Sequence, residues 1–148
     1  MNKLLALAIA IAAEGFKDRL DLGGRPYILH CLHVMNQMNT DEEKILAVLH
    51  DAIEDEIYYN GSLVTIGYLH SLNFPEDILL ELNVLTHNKE EDYISIYVKR
   101  ISFYKRATKV KKADLEHNSN ITRNKGLTKK DFDRLEKYHT AYTYLSKI

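Results

Sequence analysis

The residues best equipped for chemistry stand at His50-Asp51, where an imidazole and a carboxylate are neighbours within Ala47-Val48-Leu49-His50-Asp51-Ala52-Ile53-Glu54-Asp55. Adjacent nitrogen and oxygen donors can hold a divalent metal ion when other parts of the chain complete its coordination. A His-Asp dipeptide is weak by itself in a chain with 7 histidines, but two further strings accompany it. Gly24-Arg25-Pro26-Tyr27-Ile28-Leu29-His30 ends twenty residues upstream, and Lys111-Lys112-Ala113-Asp114-Leu115-Glu116-His117-Asn118 places an aspartate sixty-three residues downstream. On a helix, Glu54 shares a face with His50 four residues before it, so a second carboxylate would point toward the same space.

Together these strings resemble the metal-dependent phosphohydrolases of the HD superfamily, and within it the small RelA/SpoT-like branch of alarmone hydrolases. GGRPYILH is similar to that branch's approach to its first ligand, AVLHDAIED to its His-Asp helix, and VKKADLEHN to its last-ligand segment. The likeness continues through Leu85-Thr86-His87 to Tyr97 and through Leu135-Glu136-Lys137-Tyr138, covering nearly the whole chain. The resemblance implies that His30, His50, Asp51 and Asp114 bind one divalent metal per chain, in that family commonly manganese. Two imidazoles and two carboxylates suit such an ion and leave positions for water and a phosphate oxygen. It implies that Glu54 and Asp55 are catalytic, activating the water or protonating the leaving group, and that Asn118 and Lys111 contact the substrate. Arg25, Tyr27 and Tyr97 are further expected pocket residues.

The implied activity is that of a phosphohydrolase acting on a small nucleotide, with guanosine tetraphosphate or pentaphosphate (ppGpp) 3'-pyrophosphohydrolase as the leading specific expectation. No synthetase part is present. Two rivals are a nucleoside monophosphate phosphatase and a non-enzymatic nucleotide sensor on the same fold. The departures from the family pattern bear on this choice. Asp21-Leu22 stands where alarmone hydrolases carry a basic pair, Leu115 replaces an arginine, and Ile121 replaces a hydroxyl residue.

Each assignment has a plainer competitor. Glu54-Asp55 with Glu56 would also read as a solvated acidic helix end, although acids fit a helix C-terminus poorly. Asn118 would serve as a helix-end cap. Lys99, Arg100, Lys105, Arg106, Lys109, Lys111 and Lys112 put seven cations into fourteen residues, either a phosphate-attracting rim or a solvated face. His33, His70, His87, His117 and His139 lack ligand spacing and read as packed or exposed residues.

These groups need a scaffold, and the sequence spells one in helices. Residues 2–14 are mostly helix formers, and Pro26 suits the first position of a second helix reaching about Met38. Thr40 with Glu43 fits a capping box for an amphipathic helix over 41–54, the element expected to carry His50 and Asp51. Ser62 would cap a short helix to Ser71, and Pro75 would start another to about Leu85. Helical spacing continues over 91–103, and Thr128 caps a last helix. Period-two alternation is absent apart from Ile57 to Gly61, so the expected fold is all-α: a single domain over 1–148 with about six to eight helices.

The chain has 148 residues, 45% hydrophobic and 28% charged, the balance of a globular domain. Lys plus Arg number 20 against 21 Asp plus Glu. A net charge of -1 provides no global attraction to nucleic acid or anionic lipid, so neither is an expected partner. A single cysteine, Cys31, cannot form an internal disulfide, which points to the cytoplasm. The apolar run Leu4 to Ala13 has the look of a signal peptide, yet it is too short to span a bilayer and reads better as a core helix. Nothing in the composition specifies an oligomeric state.

Overall fold

The first helix, α1 (Asn2–Gly15), follows from an alanine- and leucine-rich segment and buries one face through Ala8, Ile11 and Ala12. It is seen in a computed structural model that describes residues 1–148. The chain continues through α2 (Ile28–Asn36), α3 (Asp41–Val48), strands β1 (Tyr58–Tyr59) and β2 (Ser62–Leu63), α4 (Ile66–Ser71) and α5 (Glu76–Leu85). A π-helical turn over Tyr93–Val98 leads into the short α6 (Lys99–Ile101), and α7 (Lys105–Asn118) and α8 (Lys129–Ser146) complete the fold. The architecture is all-α, eight helices with one two-stranded ribbon. No helix is long and apolar enough to cross a membrane.

Helix α3 is the centre of the bundle. Thr40 and Glu43 form the expected capping box at its start, and Ile45, Leu46, Ala47 and Val48 are all buried among α1, α2, α5 and α7. An amphipathic helix to residue 54 was expected, and α3 instead ends at Val48. From Leu49 onward the backbone closes in tight turns, with His50 N–H donating to Ala47 O and Ala52 N–H to Leu49 O. Ile45 to His50 are six consecutive buried residues, and the tight turns after Val48 set His50 and Asp51 side by side at the edge of this buried run.

Other boundaries moved for local reasons. Pro26 lies before α2, in a bridge with Leu20, and not at its first position. Ser62 is strand residue rather than cap, because Asn60 (φ 48°) and Gly61 (φ 78°) make a tight hairpin turn of left-handed backbone. Thr65 caps α4 by accepting from Tyr68 N–H at 3.0 Å. Over Tyr93–Val98 the helix widens to i→i+5 pairing, with Tyr97 N–H donating to Asp92 O at 3.1 Å.

Helix α7 has no capping side chain of its own. The buried Glu81 of α5 supplies one, its carboxylate accepting from Ala107 N–H at 3.0 Å and from Arg106 Nε at 2.7 Å. An acid at a helix N-terminus satisfies free N–H groups and the helix dipole together. This cap ties α7 to α5 and sets the register that carries Asp114 inward.

Candidate metal centre

His30 projects from the first turn of α2, His50 and Asp51 from the turns after α3, and Asp114 from the last turns of α7. One donor atom from each lies within 4.8 Å of all the others. Asp114 Oδ1 is 2.9 Å from His30 Nε2 and 3.2 Å from His50 Nε2, while Asp51 Oδ2 is 3.1 Å from His50 Nε2. Separations near 3 Å are those of neighbouring ligands on an octahedral ion at about 2.1 Å. His30, His50 and Asp114 are almost wholly buried. The donor set and its spacing fit a divalent metal ion.

The ring orientations also fit. His50 Nδ1–H donates to the Ala47 carbonyl at 2.6 Å, which fixes the tautomer and turns Nε2 toward the carboxylates. His30 Nδ1 faces His117 Nδ1 at 2.7 Å, so one ring must donate and the other accept. With Nε2 of His30 kept for a metal, its Nδ1 carries the proton and His117 accepts it. The His117 pKa agrees, pushed down to about 4 by burial and by the neighbouring Arg123 and His30. His33 stacks on the outer face of His117, ring centres 3.9 Å apart.

Electrostatics show how a cluster of buried carboxylates is held. Burial raises the Asp114 pKa, but the charges of Lys111 and His50 outweigh it and hold the group well below the usual carboxylate range. Lys111 Nζ is 2.9 Å from Asp114 Oδ2. His50 is correspondingly raised: burial opposes its protonation, and Asp51 and Asp114 overcome that cost. Tyr27 donates its hydroxyl to Asp51 Oδ2.

The two acids after the His-Asp pair separate. Glu54 lines a small pocket of about 180 Å³ with Asp51, Asp114 and Lys111, and its Oε1 accepts from His87 N–H at 2.8 Å. Asp55 lines a different, shallow groove. Arg19 Nη1 approaches Asp55 Oδ2 at 2.9 Å without the alignment of a hydrogen bond, and burial with the nearby Asp51 charge pushes the carboxyl up to about 6.

The remaining expected contacts divide as well. Asn118 donates to Asp114 Oδ1 at 2.9 Å and lines the small pocket and the larger one beside it. Tyr97 lines the small pocket while its hydroxyl donates to Leu85 O at 2.6 Å. Tyr27 lines the larger pocket, about 270 Å³. Arg25 is exposed and lines neither; its backbone belongs to a turn closed by Asp21, and the guanidinium lying over Tyr27, 4.5 Å from the ring centre, is that of Arg19. Of the seven-cation run, Arg100 pairs with Glu91, Arg106 with Asp77 and Glu81, and Lys109 with Glu43; Lys99, Lys105 and Lys112 line neither pocket, and Lys111 is the one cation of the run in the small pocket.

The sequence reading gave Lys137 no role and took His87 and His117 as packed or exposed residues, although each stands inside a string that carries the family likeness. The Asp21-Leu22 departure gains a structural explanation. Asp21 accepts from Gly23 and Arg25 N–H and pairs with Arg123 at 3.2 Å, latching two loops over the larger pocket. Gly23 is required there, since a Cβ would sit 2.0 Å from the Arg123 carbonyl oxygen.

No protein-family model matches the chain, and no curated protein matches it either.

Proposed function

We propose that this chain is a metal-dependent phosphohydrolase of the HD type, acting on a small nucleotide, with manganese as its ion and ppGpp 3'-pyrophosphate hydrolysis as the specific reaction. The observation that carries the reading is the meeting of His30, His50, Asp51 and Asp114 within 4.8 Å from three separate elements. A divalent ion held there would polarise a phosphoryl oxygen and acidify a water. The larger pocket, opening beside the centre and lined by Tyr27, Arg19, Leu22 and Tyr138, offers the apolar and guanidinium surfaces that a nucleoside base stacks on.

In this reading Glu54, steered by His87 N–H, takes the proton of the attacking water. The water oxygen bonds to the phosphorus next to the 3' oxygen, the 3' oxygen–phosphorus bond breaks, and the leaving oxygen regains a proton. Asn118 holds the Asp114 carboxylate and borders the substrate. Asp55 acts at a distance, positioning Arg19 against Tyr27. The single cysteine fits a cytoplasmic setting.

The test is elemental analysis of the purified protein, then incubation of the manganese-loaded protein with guanosine and adenosine tetraphosphates, nucleoside triphosphates and deoxynucleoside monophosphates. Pyrophosphate released from guanosine tetraphosphate is the expected product. Orthophosphate from monophosphates with 3'-pyrophosphates untouched would make it a nucleotidase, metal with no turnover would favour a sensor, and no metal after manganese incubation would end the proposal.

A further inference from the structure

Lys137 enters the small pocket from α8, an element that contributes no metal ligand. Its ammonium lies 4.6 Å from the ring centre of Tyr93 and 5.5 Å from that of Tyr138, and it makes no ion pair. Lys111 lies over the same Tyr93 ring at 5.7 Å. The two like charges therefore share one aromatic floor, and the Lys137 pKa is lowered by burial and by the Lys111 charge. The Tyr93 hydroxyl, also in this pocket, is buried with no hydrogen-bond partner.

The charge balance says what could join them. Asp51, Glu54 and Asp114 face Lys111 and Lys137, three carboxylates against two ammonium groups in the lining. A divalent ion on the ligand cluster would add two positive charges and leave that lining one charge positive. The buried, unpaired Tyr93 hydroxyl is costly to keep unless a ligand satisfies it, and the exposed Lys137 ammonium has no carboxylate partner to compete with an incoming anion. A tetrahedral oxyanion supplies several acceptor oxygens at once, and ammonium groups bind phosphate as point charges.

We infer that Lys137, Lys111 and the Tyr93 hydroxyl form a phosphate subsite opposite the metal ligands, completed only when the metal is bound. It rests on the metal-centre reading and adds to it a residue outside the ligand-bearing segments. Lys137 holds a phosphate group that is not itself attacked, or a phosphate product before release, and its length and position at the mouth let it act without disturbing the ligands.

The experiment is calorimetric titration of inorganic phosphate into wild type, Lys137→Met and Lys137→Arg, with and without manganese, with manganese affinity measured separately for each. Manganese should bind all three alike. Phosphate should bind the manganese-loaded wild type, bind Lys137→Met about 10- to 100-fold more weakly, as expected for a charged hydrogen bond, and recover in Lys137→Arg. Equal phosphate affinity in wild type and Lys137→Met would overturn the subsite, as would a manganese-loaded wild type that binds no phosphate, and either result would leave the metal centre standing. A wild type that takes up no manganese would overturn both, since the subsite would lack the ion's charge.

Discussion

Replacing His117 by alanine removes the partner of His30 without touching a metal ligand. The His30 Nδ1 to His117 Nδ1 contact of 2.7 Å is the sole hydrogen bond on that side of a ring that is itself almost fully buried. Losing it forfeits about 1 kcal/mol of net bonding and leaves a buried N–H unpaired at about 1 to 3 kcal/mol. A total of about 2 to 4 kcal/mol corresponds to roughly a 30- to 1,000-fold loss at most, and removal of such outer partners of metal-binding histidines typically costs about 10- to 100-fold, the lower part of that range. Manganese affinity by calorimetry and the visible spectrum of the cobalt-substituted protein would measure it. His117→Asn, whose amide oxygen can accept near the original Nδ1 position, should recover most of the affinity. His33→Ala should change it little, because His33 only stacks on the outer face of His117. Wild-type manganese affinity in His117→Ala would refute the reasoning, for His30 would then need no orienting partner.

The raised pKa of His50 makes metal uptake compete with a proton, so manganese affinity should rise by up to about tenfold per pH unit until the folded pKa of His50 is reached, as read by titrations from pH 6 to 8. The sign for stability is the reverse: a histidine raised by folding stabilises the metal-free protein fully below its unfolded pKa of about 6.5, and this is lost as pH rises through the folded value. Melting temperature of the metal-free protein should therefore fall over that window, and a flat profile would contradict the His50 assignment. Glu54→Gln should lower turnover roughly 10²-fold or more with manganese content unchanged, and near wild-type turnover would return Glu54 to a bystander role. Gly23→Ala should force apart the loops latched by Asp21 and Arg123, costing about 1 to 3 kcal/mol in denaturant unfolding and raising KM for a nucleotide substrate.

The parts of this molecule written locally were legible before any coordinates. The capping box at Thr40 and Glu43, the helix-forming run of α1 and the helix from Pro75 to Leu85 are each encoded within a few residues, and they formed close to where they were read. The four candidate ligand residues were legible too, through their types and spacing, and the fold brings their donor atoms together. What escaped depends on partners distant in sequence. No stripe or cap announced α7, because its cap comes from Glu81 and its cations are matched by Glu43, Asp77 and Glu81. The widened turn at Tyr93–Val98 keeps apolar spacings that suit an ordinary helix equally well. Arg25 and Arg19 are six residues apart, and only the closed Asp21 turn reveals which of them reaches the site.

His30 and Asp114 are 84 residues apart along the chain, yet an ion would bind both. Bringing two such points together in a flexible polymer costs about 4 kcal/mol or more in loop entropy, and a metal clip opposes their parting much as a covalent cross-link would. Once closed around an ion, the cluster fastens the beginning of the chain to its last third. The metal-loaded protein should accordingly open slowly and resist proteases, with manganese acting as a removable staple on the rate of unfolding.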